Sequence, residues 1–172
     1  MDKKEFTKAY NIKNATPIDP SLRVIPAEGF AIGVEEFINE RFRGVAKASA
    51  SVSSFDGILI SPEYFAMFLK TLLADIYGRC YLTVTIGADR ERILIDISSD
   101  TPLPLSDSQI RNLIRIARNS GMKITLEEGN IRLSALFSEA AMRRIYAISV
   151  FDGRVIILSK LNEIFYCGED YE

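Results

Sequence analysis

Two cysteines, a pair of adjacent arginines and a few isolated carboxylates are the side chains in this sequence whose chemistry depends on what stands beside them. Cys80 and Cys167 are far apart and belong to no Cys-x-x-Cys pair. Neither a zinc site nor a redox motif can be read from them, and free thiols in a reducing compartment are the expectation. Arg143 and Arg144 could hold an anion together, although adjacent arginines on a helix face are more often solvated or paired. Asp75 falls on the polar side of an apolar helix pattern and Asp100 opens a turn, so each alone reads as a solvated carboxylate. Histidine is absent, as is tryptophan. Imidazole acid/base catalysis, Ser-His and Cys-His nucleophile pairs, histidine metal sites and phosphorylation of a histidine in cis are therefore excluded within this chain.

The 172 residues are 48 % hydrophobic and 26 % charged, which is the composition of one globular domain with a buried core. Basic and acidic side chains number 21 and 23, mixed along the chain, for a formal net charge of -2. No broad basic field exists to attract a phosphate backbone, so nucleic acid is not an expected partner. The N-terminus has no apolar signal region, and charges interrupt every apolar run before the roughly 18 residues a membrane span requires. A cytoplasmic location is expected.

Residues 1–30, with Pro17, Pro20 and Pro26 and no sustained apolar period, read as an N-terminal arm. A helical period starts at Ala31, with Val34, Phe37, Ile38 and Phe42 on one face. Residues 46–54 can alternate as a short strand, and Phe55-Asp56-Gly57 reads as a turn. Ser61-Pro62 caps and opens the clearest helix, in which Phe65, Phe68, Leu69, Leu72, Leu73 and Ile76 recur at three and four up to Gly78. Leu82, Val84, Ile86 and then Ile93, Ile95, Ile97 alternate as two strands of an antiparallel pair. Ser106 and Gln109 have capping-box spacing before the stripe Ile110, Leu113, Ile114 and Ala117, which Gly121 ends. A further hairpin is predicted from Ile124 to Ala135, turning at Glu128-Gly129-Asn130. Residues 138–150 could form a helix, Val155–Leu158 a buried strand and Leu161–Cys167 its partner. Phe-Asp-Gly before an apolar run occurs at both 55 and 151, which independent turn chemistry explains more simply than a repeat.

The order helix, strand, helix, strand, strand, helix, strand, strand over residues 31–137 resembles the ATPase domain of sensor histidine kinases, in the superfamily shared with gyrase and mismatch-repair ATPases. That resemblance implies an α+β fold, a two-layer sandwich with helices on one face of a mixed, mostly antiparallel sheet, with residues 138–172 as a C-terminal extension packed on the same domain. The family helix carries a stretch like N-L-L-x-N-A whose asparagine holds Mg²⁺ against ATP; Thr71-Leu72-Leu73-Ala74-Asp75-Ile76 looks like it, with Asp75 in the metal position. A carboxylate can also bind Mg²⁺. The next family motif is D-x-G-x-G, and the chain has Ile97-Ser98-Ser99-Asp100-Thr101-Pro102-Leu103-Pro104 there. Ser99, or Asp100 in a register one residue on, takes the place of the adenine-binding aspartate, and Thr101 follows. No glycine stands beside them to admit a base closely. Only a few residues separate Asp100 from Ser106, where the kinases carry a long lid and a second glycine-rich motif.

Asp75, Ser99, Asp100 and Thr101 thus resemble a degenerate nucleotide pocket, with Asp75 as its metal residue. The first reading is a non-catalytic module that binds a protein partner in bacterial signalling, with no cofactor. A second is an ATP/Mg²⁺-binding protein or an anti-sigma-type serine/threonine kinase. A third is an unrelated α+β fold with the same element order. By analogy with the kinases, a homodimer would form through the helix at residues 33–46.

Overall fold

The computed structural model describes residues 22–54, 56–127, 129–138 and 150–166. Seven strands form one mixed sheet: β1 (Arg23–Pro26), β2 (Ala46–Ala50), β3 (Gly57–Ile60), β4 (Leu82–Ala88), β5 (Arg92–Ser99), β6 (Lys123–Glu127) and β7 (Asn130–Ser138). Their order is β1-β3-β7-β5-β4-β2, and β6 pairs with β7 off that path. Only β2–β4 is parallel. Four helices accompany the strands among the described residues: α1 (Ala27–Arg41), α2 (Pro62–Ile76), α3 (Asp107–Asn119) and α4 (Val150–Tyr166).

Alternation explains why the sheet has one covered face. Leu82, Val84 and Ile86 of β4, Ile93, Ile95 and Ile97 of β5, and Ile131, Leu133 and Ala135 of β7 are buried, while Thr83, Thr85 and Arg132 between them are exposed. The period-2 pattern therefore places the helices on one side and leaves the other polar. Each aliphatic side chain so removed from water contributes about 1.5–3 kcal/mol before the entropy of ordering is subtracted. The two-layer α+β sandwich expected from the sequence is the observed fold.

The start of α2 and both ends of α3 are capped or tied to a neighbour. Ser61 accepts the Tyr64 N–H through its hydroxyl, and Pro62 follows at the first helical position. Ser61 N–H donates to Ser120 O at 2.9 Å, tying the start of α2 to the end of α3. The expected capping box is present at Ser106 and Gln109. Edge strand β2 is shielded by α1: Asn39 bonds both the N–H and the carbonyl of Ala48 at 2.8 Å, and the Glu35 carboxylate accepts the Ala50 N–H. Side chains thus occupy the backbone groups an edge would otherwise offer to another chain.

Four sequence expectations are corrected. Residues 23–30 are not arm: they form β1 and the first turn of α1, whose Ala27 N–H is met by Asp56 O. Residues 46–54 hold β2 only as far as Ala50, and a second strand, β3, follows at 57–60. In place of the two strands expected at 155–158 and 161–167, residues 150–166 form the single helix α4. Val155-Ile156-Ile157-Leu158 is a short apolar run that periodicity alone cannot assign, and the helix is chosen because Gly153, Ile157 and Leu161, four apart, turn inward together. Asp152-Gly153, read as a turn, lies in the first turn of that helix. The helix considered over 138–150 falls largely outside the described residues, as do Arg143, Arg144 and Cys167.

α4 bridges α1 and α2. It meets α1 where Gly33 lies so close that an added Cβ would stand 2.3 Å from the Ile157 side chain and 3.2 Å from Arg154 O. Phe165 packs its ring on Phe37 and Phe42 at 4.9 and 5.2 Å, and Lys70 donates to Ile164 O. The Arg154 guanidinium grips Glu36 with two bonds of 2.6 Å. That hydrogen bond holds the Glu36 carboxyl below its usual range and raises Arg154.

A valine at Gly33 gains a few tenths of a kcal/mol in helix propensity but must overlap the buried Ile157, at a cost of about 1–3 kcal/mol. Gly33→Val is expected to lower the urea midpoint accordingly, while Gly44→Ala, with open space around it, stays within about 0.5 kcal/mol of the parent. Because the Glu36 pKa is depressed in the folded chain, its contribution is present above the unfolded carboxylate pKa near ~4.3 and is lost as pH falls through the lower folded value. The stability gap between the parent and Glu36→Gln should therefore be wider at pH 6 than at pH 3, as urea unfolding at the two pH values would read.

Candidate functional site

At the end of β5 the chain leaves the sheet through Ser99, Asp100 and Thr101 and runs to the start of α3. This loop closes one side of a cleft of about 680 Å³, within the range of roughly 300–1,000 Å³ typical of ligand pockets. Leu103, Leu105, Ile110 and Leu126 form its apolar wall, and Ser99, Asp100, Thr101 and Glu127 supply polar groups. Two long-range pairings assemble it. Antiparallel β5–β7 pairing puts Ser98 opposite Asn130, and Ser99 N–H reaches Gly129 O at 3.2 Å. The β6–β7 turn, made with Gly129 at φ 74°, thereby comes to lie beside the loop.

Much of the loop's polar capacity is used to hold its own shape. The Asp100 carboxylate accepts the Tyr81 N–H through Oδ1 at 3.1 Å, and Asp100 N–H donates to Tyr81 O at 3.3 Å. The Ser99 hydroxyl accepts the Thr101 N–H. From outside, Arg79 donates to Pro104 O at 3.2 Å. Asp100 is thus the joint between the loop and Tyr81, the residue before β4, while Ser99 braces the loop internally and ties it to Gly129.

The structure brings Ser99, Asp100 and Thr101 together on one cleft. Asp75, the next-to-last residue of α2 and half-buried, is not among the residues that line it. Among the described residues, no three aspartate, glutamate, histidine or cysteine side chains converge as a metal-binding group. Glu127, Leu126 and Ile110 line the cleft without having been singled out from the sequence. Their only sequence signal was the hairpin turn at 128–130 and the α3 stripe, neither of which says what lies opposite.

Beside the cleft, on the open sheet face, Asp96 and Arg132 stand opposite each other on β5 and β7 and are joined by bonds of 2.6 and 3.3 Å. With Ser98, Thr125, Glu127 and Asn130 they border a second, polar recess of about 340 Å³. The hydrogen bond to Asp96 raises the Arg132 pKa, and the carboxylates of Glu127 and Asp89 add to it. Asp89 itself, bonded by the N–H groups of Glu91 and Arg92 in the β4–β5 turn, is held below the usual carboxylate range.

The architecture is similar to that of histidine-kinase catalytic domains. The cytoplasmic segment of histidine kinase QseC matches over 79 % of this chain and 91 % of its own, with 12 % identity and a TM-score of 0.45. Histidine kinase AdeS of Acinetobacter baumannii matches over 68 % of this chain and 66 % of its own, at 8 % identity and a TM-score of 0.45. Histidine kinase ThkA, solved in complex with response regulator protein TrrA, matches over 72 % of this chain but 43 % of its own, at 10 % identity and a TM-score of 0.43. No family model and no curated protein matches the sequence. At these identities and scores the likeness carries no information on function.

Removing the Asp100 side chain deletes an acceptor for the Tyr81 N–H, whereas asparagine keeps one. Asp100→Ala should lose about 0.5–1.5 kcal/mol in urea unfolding and speed hydrogen exchange at the Tyr81 amide. Asp100→Asn should do little of either.

Proposed function

We propose that this chain is a histidine-kinase-like signalling module that works by binding another protein and does not transfer phosphoryl groups. The observation that carries the reading is the make-up of the cleft at the position where the sequence resemblance puts the nucleotide. Its described walls contain two carboxylates, Asp100 and Glu127, and no lysine or arginine, whereas a triphosphate needs cations or free N–H donors around it. The loop side carries Thr101 and Leu103, or Pro102 and Pro104 in the register one residue on, where the family has glycines.

Two further features support it. The chain has no histidine to phosphorylate. Asp75, the residue the resemblance assigns to Mg²⁺, does not line the cleft that Ser99, Asp100 and Thr101 share. A protein partner of this chain is part of the proposal.

Thermal unfolding with and without excess ATP or ADP and Mg²⁺ tests the reading. Ligand at a hundredfold its dissociation constant adds about 2.7 kcal/mol, or roughly 5 to 11 °C for a chain of this size. No rise is expected. A magnesium-dependent rise that is lost on Asp75→Ala would overturn the proposal and restore the ATP-binding alternative.

A further inference from the structure

We propose that the cleft between the 99–105 loop and the β6–β7 turn takes the lysine or arginine side chain of a partner protein. This rests on the protein-binding reading above and names what the site would recognise. Leu103, Leu105, Ile110 and Leu126 offer an apolar wall of the kind that covers the methylene stem of a long cationic side chain. Asp100 and Glu127 stand on the same cleft to receive its charged end. Asp100 meets the Tyr81 N–H with Oδ1, and a carboxylate has a second oxygen and further lone pairs to offer.

Charge decides between cation and anion. The nearby guanidinium groups are committed elsewhere, Arg79 to Pro104 O and Arg132 to Asp96. The start of α3 is the one feature that would favour an anion. Its capping box already engages the N–H groups of Ser106 and Gln109, and Asp107 adds a carboxylate to the first turn. A neutral apolar ligand would fill the wall and leave both carboxylates without gain. An aliphatic cation satisfies both halves of the cleft.

Three probes of equal length isolate the charge: n-hexylamine, hexan-1-ol and hexanoate, each titrated into the ¹⁵N-labelled full chain. The amine is expected to shift the amide signals of Ser99, Thr101 and Gly129 and to bind about fivefold more tightly than the alcohol, the factor an exposed ion pair supplies. Hexanoate should bind most weakly. Glu127→Gln, on an edge strand, and Asp100→Asn, which keeps the bond to Tyr81, should each narrow the gap between amine and alcohol. Equal binding of the three, preference for hexanoate, or amine shifts confined to other regions would overturn the assignment. A second arm compares a blocked Leu-Lys-Leu peptide with spermidine: tighter binding of the peptide is expected, and tighter binding of spermidine would give the site to free polyamines instead. Failure with the amines but no ATP-dependent rise in the unfolding midpoint would remove this site and spare the module reading, whereas an ATP-dependent rise removes the module reading whatever the amines do.

Discussion

Ile93, Ile95 and Ile97 have no exposed surface, and they lie on the strand that is hydrogen-bonded along both edges, to β4 over seven residue pairs and to β7 over seven. A one-residue slip on either side would turn all three isoleucines to the polar face. The register of β5 therefore sets which residues of β4 and β7 face the helices. It also sets where β5 ends, and with it the position of Ser99 beside Gly129. The β4–β5 pairing is local, closed by a short turn in which Asp89 bonds two N–H groups. The β5–β7 pairing spans α3 and β6, so it closes a much longer loop and depends on the whole apolar stripe to repay that entropy.

The helix layer follows from the same buried stripe but needs its own fasteners. Phe30 and Phe65 meet edge to face at 4.9 Å, joining α1 and α2 at the base of the core. Above them α4 fits only because position 33 carries no side chain. Its polar side is matched to what it crosses: Arg154 to Glu36 on α1, and Lys160 to Glu63 on α2. α4 is thus part of the packed domain through both apolar contact and charge.

The cleft is a by-product of these constraints that has acquired a definite chemical character. Its loop is short, and short loops must satisfy their own backbone or be fixed from outside. Asp100, Ser99 and Arg79 do that work. What is left facing the cleft is apolar surface and carboxylate, a combination that suits a cationic side chain better than a phosphate. The sheet register depends on the isoleucines, whereas the chemistry of the cleft depends on a handful of loop residues.

Local pattern alone determined most elements, because a helix stripe, an alternating strand, a Ser-Pro start and a capping box are each written within a few residues. Ser61-Pro62, Ser106 with Gln109 and the hairpin at 82–97 were legible for that reason. The identical tripeptides Phe55-Asp56-Gly57 and Phe151-Asp152-Gly153 show where that legibility stops. Gly57 opens a strand paired with Pro26, while Gly153 lies inside a helix and packs on the same Pro26. The site divides in the same way: Ser99, Asp100 and Thr101 were legible as neighbours in sequence, and Asp75 as a position on α2. That the first three share a cleft with Glu127, Leu126 and Ile110, and that Asp75 does not line it, came only from tertiary structure. Those neighbours are joined by strand pairings that no window of local sequence contains, and pairing energy becomes decisive only once the apolar faces on both sides are buried together.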